Sequence, residues 1–262
     1  MKRIMFIFYA LCFANSSLFS ITISSQQAQA IGQRIWMNEC AGTIQGLTSW
    51  NEGEEFASLG IGHFIWCPKG TTCPFSESFP RLLVFLKKHK VELPVWLRHQ
   101  TSCPWRTRKE FLNNLQNPRM VELRTLLSQT IELQTKFIVE RLEQTLPTLL
   151  RKIPIEKKEP IKKQFYRLEK TPQGIYALID YVNFKGEGLV IAENYKGHGW
   201  GLLHVLETMK GSDPATAASE FASCAKKILT KRVKNSPPAR NEARWLPGWK
   251  NRLDTYTSYK LS

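Results

Sequence analysis

The sequence predicts an α+β fold that is mostly helical: a small β-containing N-terminal lobe and a helical C-terminal lobe joined by a long helix. Three observations carry this. Residues 31–77 are rich in Gly and aromatic residues, a composition that favours short strands and tight turns. Residues 119–146 carry Met120, Leu123, Leu126, Leu127, Ile131, Phe137, Ile138, Leu142 and Leu146, spaced by three, four and seven so that they share one helix face. Beyond residue 146, apolar segments of helical length alternate with Pro- and Gly-rich breaks.

The elements follow in order. Ile31, Ile35 and Trp36 give a short helix that ends at Gly42 and Gly46. Trp50-Asn51-Glu52-Gly53 is a turn signal, and Phe56 to Trp66 reads as strand interrupted by Gly60 and Gly62. Residues 78–115 carry short helices separated by Pro80, Pro94 and Pro104. The helix at 119–146 would span about 40 Å, long enough to bridge two lobes, and Pro147 is expected to end it. Its opposite face, with Glu122, Arg124, Glu132, Lys136, Glu140 and Glu143, reads as a solvated surface. Lys157, Lys158, Lys162 and Lys163 read as a solvated linker or helix start. Helices are then expected at Gly174–Phe184, Leu202–Met209, Ser212–Val233 and Pro238–Arg252, with a Gly-rich loop from Lys185 to Gly201. Trp200, Trp245 and Trp249 are assigned to the core.

The first thirty residues read as an export signal. Lys2 and Arg3 precede an apolar run from Ile4 to Ala14, a second apolar patch follows at Leu18–Ile23, and Ala28-Gln29-Ala30 supplies a small-residue cleavage motif. The expected organisation is a signal peptide over 1–30 cleaved after Ala30, an N-terminal lobe over 31–118, an inter-lobe helix over 119–146 and a C-terminal lobe over 147–262. The chain would then be periplasmic or secreted.

Charge narrows the partner. The chain has 37 Lys+Arg against 22 Asp+Glu, a formal net charge of +15. Removing Lys2 and Arg3 leaves 35 basic side chains against the same 22 acidic ones. An exported basic chain is expected to meet an anionic envelope surface rather than nucleic acid, for which no Arg/aromatic cluster is present. Beyond Cys12, five cysteines remain: Cys40, Cys67, Cys73, Cys103 and Cys224. Cys67 and Cys73 bracket a Pro/Gly/Thr loop and pair with each other, or one of them pairs with Cys103. His99 lies near Cys103, but no C-x2-C pair is present, so disulfide or buried thiol is preferred to zinc. No metal and no cofactor is expected.

The chemistry concentrates between residues 38 and 64. Glu39 ends an amphipathic helix. Glu52, Glu54 and Glu55 lie in a turn before a strand. Two carboxyls brought together across a hairpin are what glycosidic cleavage requires: one donates a proton to the leaving oxygen, the other stabilises the cationic sugar or activates water. An apolar surround of Trp36, Trp50 and Phe64 would keep one carboxyl protonated. His63 reads as a structural hydrogen-bonder of the β segment.

On these residues the sequence resembles the phage-type lysozymes. Glu39 stands at a helix end, followed by Glu52 or Glu54, then Ser58, then Gly60-Ile61-Gly62-His63. Downstream, Ala177–Glu187 resembles the core helix of that family's C-terminal lobe with its closing Gly turn, and Asn235-Ser236-Pro237-Pro238-Ala239-Arg240 resembles an Asn-x-x-Pro-x-Arg segment. The resemblance implies a muramidase that cuts N-acetylmuramic acid–N-acetylglucosamine bonds in peptidoglycan strands. It implies Glu39 as general acid, Glu52 or Glu54 as second carboxylate, and Ser58 holding a water. It also implies Phe64 as an apolar sugar contact and Asn183 at the cleft wall, while Asn235 and Arg240 make helix-terminus and interlobe contacts. The chain departs from the pattern at several points. Cys40 stands where Gly usually follows the acid, Glu52 replaces Asp, Ser58 replaces Thr, the loops Cys67–Cys103 and Leu189–Gly199 are longer, and Glu39 and Ser58 are 19 residues apart, four more than the family spacing. A lytic transglycosylase using a single Glu, or a non-catalytic wall-binding protein on the same scaffold, are the alternatives.

Overall fold

The structure is a computed structural model that describes residues 21–73, 76–189 and 194–258. It is α+β and mostly α. Helix α1 (Ser25–Cys40) leads into a three-stranded antiparallel sheet, β1 (Thr48–Ser49), β2 (Ala57–Leu59) and β3 (Phe64–Trp66), in the order β1-β2-β3. Helices α2 (Phe79–Lys88) and α3 (Arg108–Asn113) follow, then α4 (Pro118–Gln129), α5 (Ile131–Lys152), α6 (Ile155–Glu169) and α7 (Pro172–Lys185). The chain closes with α8 (Leu202–Thr208), α9 (Ala217–Asn235) and α10 (Leu246–Ser258).

Helix α1 begins six residues before the expected lobe boundary. Ser24 caps it: the Ser24 hydroxyl accepts from the Gln27 N–H at 3.1 Å, and the Gln27 side chain accepts from the Ser24 N–H at 2.9 Å. The expected cleavage motif therefore lies inside a helix, with Ala28 fully buried. Ahead of it, the Ile21 N–H donates to Glu143 at 2.7 Å. Residues 1–20, which hold the basic start and most of the apolar run, lie outside the described residues. Helix α1 packs on α5, and Gly32 makes the close approach possible: a Cβ there would stand 2.3 Å from Thr135 Oγ1.

The single helix expected over 119–146 is two helices broken at Thr130, and the second runs through Pro147 to Lys152. The break has a visible cause. Fully buried Gln134 donates to the Leu127 carbonyl at 2.6 Å and to Thr130 Oγ1 at 3.1 Å, replacing helix bonds with side-chain bonds. The Gln134 carbonyl oxygen in turn accepts from the Ile61 N–H at 3.0 Å. The kink thus fixes the loop between β2 and β3. Pro147 is tolerated because its helix remains anchored by buried Leu146 and Leu149.

One contiguous apolar core runs through both lobes, from Ile31 and Ile35 in α1 to Tyr256 in α10. Cys67 and Cys73 form a disulfide, and Cys40, Cys103 and Cys224 are free and buried. The basic segment at Lys157–Lys163 is the first half of α6 and is largely exposed. Trp200 is buried, but Trp245 is 52% exposed, against its assignment to the core. Arg232 near the end of α9 makes a two-pronged ion pair with Glu242 at 2.8 Å, tying α9 to the turn ahead of α10. Arg240 lies 5.8 Å from the Tyr195 ring on the same patch.

Candidate active site

Three helices converge on one carboxyl. Glu39 sits in the last turn of α1. From α7 come Tyr176, Asp180 and Asn183, spaced by four and three and therefore on one face. From α10 comes Arg252. Arg252 donates through Nη2 to Glu39 Oε1 at 2.5 Å, and the Asn183 amide donates to the same oxygen at 3.1 Å. The other oxygen, Glu39 Oε2, faces His63 Nδ1 at 3.5 Å. The Glu39 side chain keeps 13% of its surface open.

Asp180 balances this arrangement from below. It is fully buried and takes both arms of Arg252 at 2.8 Å, the Tyr256 hydroxyl at 2.7 Å and the Asn38 amide at 3.1 Å. Asn38 also donates to the Tyr176 hydroxyl at 3.0 Å. Burial alone would disfavour the charged guanidinium, but the charges of Asp180 and Glu39 outweigh it and hold Arg252 above the ordinary arginine range. Arg252 meets the two Asp180 oxygens through Nε and Nη2, and Nη2 gives its second hydrogen to Glu39. Glu39 Oε1 is thereby anchored, and Oε2 is left facing His63.

The β segment supplies the facing wall. His63 sits in the left-handed region, with φ +46°, a conformation that is uncommon for a non-glycine residue. Its ring lies between Glu39 and Cys40, with Nε2 4.0 Å from Cys40 Sγ. Gly60 makes the turn: its φ is +69°, and a Cβ would meet Gln134 Oε1 at 2.4 Å. The Cys40 thiol is pushed up to about 12 by burial and then by the neighbouring Glu39 charge, so it is no nucleophile.

A cleft of about 520 Å³ opens beside His63 and Asn183. Ile138, Leu142, Ile179, Val182 and Leu189 give it an apolar side, and Ser76, Arg141, Thr145 and Glu187 give it a polar one. On the other flank, a hollow of about 430 Å³ is lined by Asn38, Phe184, Trp249 and Arg252. Glu39 bridges the two through its contacts. Lys185 stands 3.8 Å from the Phe184 ring and 3.6 Å from the Trp249 ring. Burial, together with Arg232 and Arg252, pushes Lys185 down to about 6, against the pull of Glu242 and Glu39.

The sequence-predicted residues fall into two groups. Glu39 and Asn183 are brought together. Glu52 is exposed in the turn after β1, and Glu54 is half-buried there, accepting from the Asn51 amide at 3.1 Å. None of Glu39, Glu52 and Glu54 is among the residues lining the cleft, but Glu39 contacts His63 and Asn183, which line it. Ser58 is buried in the central strand, paired with Ser49 and Ile65, which leaves its hydroxyl little open surface for a water. Phe64 is fully buried against Phe137, 5.5 Å between ring centres, and has no surface to offer a sugar. The aromatic surround expected for Glu39 is a correction of the same kind. Trp50 packs on Phe111, Phe64 packs inward, and the groups that touch Glu39 are polar.

Sequence reasoning gave no role to Arg252, Asp180, Tyr256 or Arg141. Asp180 carried a readable signal: a lone acid inside the apolar run Ala177-Leu178-Ile179 and Tyr181-Val182 must be paired if the helix is buried. Arg252 carried none, since it lies more than 200 residues from Glu39 in an ordinary amphipathic helix.

Compared with known proteins, the chain matches no family model, no curated protein and no solved structure.

Proposed function

We propose that this chain is an exported peptidoglycan glycosidase of lysozyme-like type, cutting N-acetylmuramic acid–N-acetylglucosamine bonds with Glu39 as the proton donor. One observation carries the reading: a carboxyl at a helix end has one oxygen locked by Arg252 and Asn183 and the other 3.5 Å from His63, and both Asn183 and His63 line an open cleft. A positioned acid of this kind is worth about 10²–10⁴ in rate. Glu39 Oε2 delivers a proton to the glycosidic oxygen as its bond to the anomeric carbon breaks, and a water adds to that carbon and returns its proton to Glu39. The intervening carboxylate is stabilised by Arg252, whose charge Asp180 shares. The cleft's apolar side fits sugar ring faces, and its polar side fits hydroxyl and amide groups. The net positive charge suits an anionic envelope surface.

A second reading has its own support. Glu52 and Glu54 stand on the turn after β1, outside the cleft lining, which favours a single-acid lytic transglycosylase in which the muramic acid's own hydroxyl closes an anhydro ring. Digestion of purified sacculi separates the two: reducing ends mark hydrolysis and anhydro ends mark the ring closure. Release of neither product from intact sacculi would contradict both.

A further inference from the structure

Arg141 is the cation of this cleft that the proposed chemistry does not use. It lies on α5 and lines the cleft wall with Thr145, one turn on, and with Glu187. It keeps solvent-accessible surface. Among the described residues its guanidinium has no hydrogen-bond partner and no ion pair, unlike Arg124, Arg167, Arg232 and Arg252, each of which is held by named acceptors. The nearby carboxylate, Glu187, instead takes the Thr145 hydroxyl at 3.2 Å.

A second cation stands close by. Arg81, in the first turn of α2, is exposed and also unpaired among the described residues. Its charge acts on Arg141, as does that of Glu187 in the opposite sense. Helix α2 packs against α5, so the two guanidinium-bearing helices meet beside the cleft. Like charges held together without an acceptor are destabilising, and a planar five-donor fork facing a cleft is suited to a two-oxygen anion.

We infer that Arg141, supported by Arg81, forms a subsite for a carboxylate of the substrate strand, so that the cleft selects acidic over neutral glycans. This rests on the proposed reading of the cleft as a glycan site. On that reading the carboxylate is either the lactyl group of a muramic residue or an acidic residue of its peptide stem. The chemistry is shared: two oxygens in one plane accepting from one guanidinium, with the apolar wall opposite receiving the ring. The apolar wall and the concave setting favour a glycan-borne carboxylate over a free inorganic anion.

The test is binding, measured by calorimetry on the full chain carrying Glu39→Gln so that strands stay intact. Three ligands are compared: glycan strands with peptide stems, strands stripped to the lactyl carboxylate, and stripped strands whose carboxyls have been amidated. The inference expects loss of the recognised carboxylate, by amidation of the lactyl group or by stripping of the stem, to weaken binding about tenfold or more, the scale of a lost charge-assisted hydrogen bond. It expects Arg141→Gln to erase that difference, Arg141→Lys to restore part of it, and the amidated strand to bind the Arg141→Gln protein unchanged. Full affinity for the stripped strand assigns the lactyl group, and affinity that requires the stem assigns the peptide. Equal binding of all three ligands by the parent, or an Arg141→Gln protein that still discriminates, overturns the inference. A Glu39→Gln chain that still cleaves the strands overturns the proposed chemistry instead, and the discrimination is then read at low temperature, where cleavage is slow.

Discussion

Arg252 and Asp180 form a buried two-pronged ion pair at 2.8 Å on both arms, and the second hydrogen of Arg252 Nη2 reaches Glu39 at 2.5 Å. The pair separates two tasks. Asp180 neutralises and orients the cation, and Glu39 takes only its aim. Without Asp180, Arg252 would be a full positive charge in a low-polarity setting, and Glu39 would have to answer it alone.

Asp180→Asn is therefore expected to destabilise the fold sharply. Breaking one side of a buried ion pair costs about 3–5 kcal/mol because a desolvated charge is left uncompensated. The Tyr256 hydroxyl, which donates to Asp180 at 2.7 Å, keeps an acceptor in the amide oxygen, so the low end of that range is expected. Urea unfolding followed by circular dichroism reads it as a lower midpoint at unchanged slope.

Residues 21–30 are bonded into the fold. A protein beginning at Ile31 loses the Ser24–Gln27 capping box, buried Ala28 and the Ile21–Glu143 bond. The cap alone is worth about 1 kcal/mol. A chain beginning at Ile21 is expected to melt several degrees above one beginning at Ile31. Equal melting temperatures would show that residues 21–30 add nothing to the fold.

Thiol reactivity should divide by fold rather than by sequence. Burial pushes both the Cys40 and Cys103 thiols up to about 12, and Cys67 and Cys73 are bonded to each other. Native protein exposed to an alkylating reagent at pH 8 is expected to leave Cys40 and Cys103 unmodified, and both should react after unfolding. Peptide mapping by mass spectrometry locates the labels, and rapid native labelling of Cys40 would contradict the packing of His63 against it.

Lys185 sets a pH dependence whose sign follows from its surroundings. It releases its proton near 6 in the folded chain and near 10.5 when unfolded. Between those values the unfolded chain binds more protons, so this residue makes stability rise with pH across that window and adds no slope below about 6. A full proton difference gives a slope of about 1.4 kcal/mol per pH unit. Lys185→Met is expected to flatten the stability–pH profile between 6 and 10 and to raise stability most at the acid end. Parallel profiles for parent and variant would mean that Lys185 keeps its charge between its two rings.

Much of this fold was legible in the chain, and the limits are physical. Periodicity located the apolar face of 119–146 because burial demands it. It did not locate the break at Thr130, which is made by a polar side chain, Gln134, bonding to a carbonyl seven residues back. Pro147 was read as a stop, but in a helix already anchored by Leu142, Leu146 and Leu149 its missing bond is tolerated. The resemblance to phage-type lysozymes points to Glu39 and Asn183, and the structure joins them at 3.1 Å. Glu52, Glu54, Ser58 and Phe64 were chosen on chain order, and chain order fixes neither the twist of a hairpin nor which face of β3 turns inward. The site's cation, Arg252, comes from the far end of the chain, where no local pattern points to Glu39.

The central claim is that Glu39 delivers the proton. The most direct test is Glu39→Gln beside the parent on purified sacculi, with soluble muropeptides quantified over time. Asn183 and Arg252 still have an amide oxygen to bond, so the fold should be retained, and circular dichroism checks that. Release is expected to fall at least about 10²-fold, the worth of a positioned acid. Release at the parent rate by the folded variant would contradict the account.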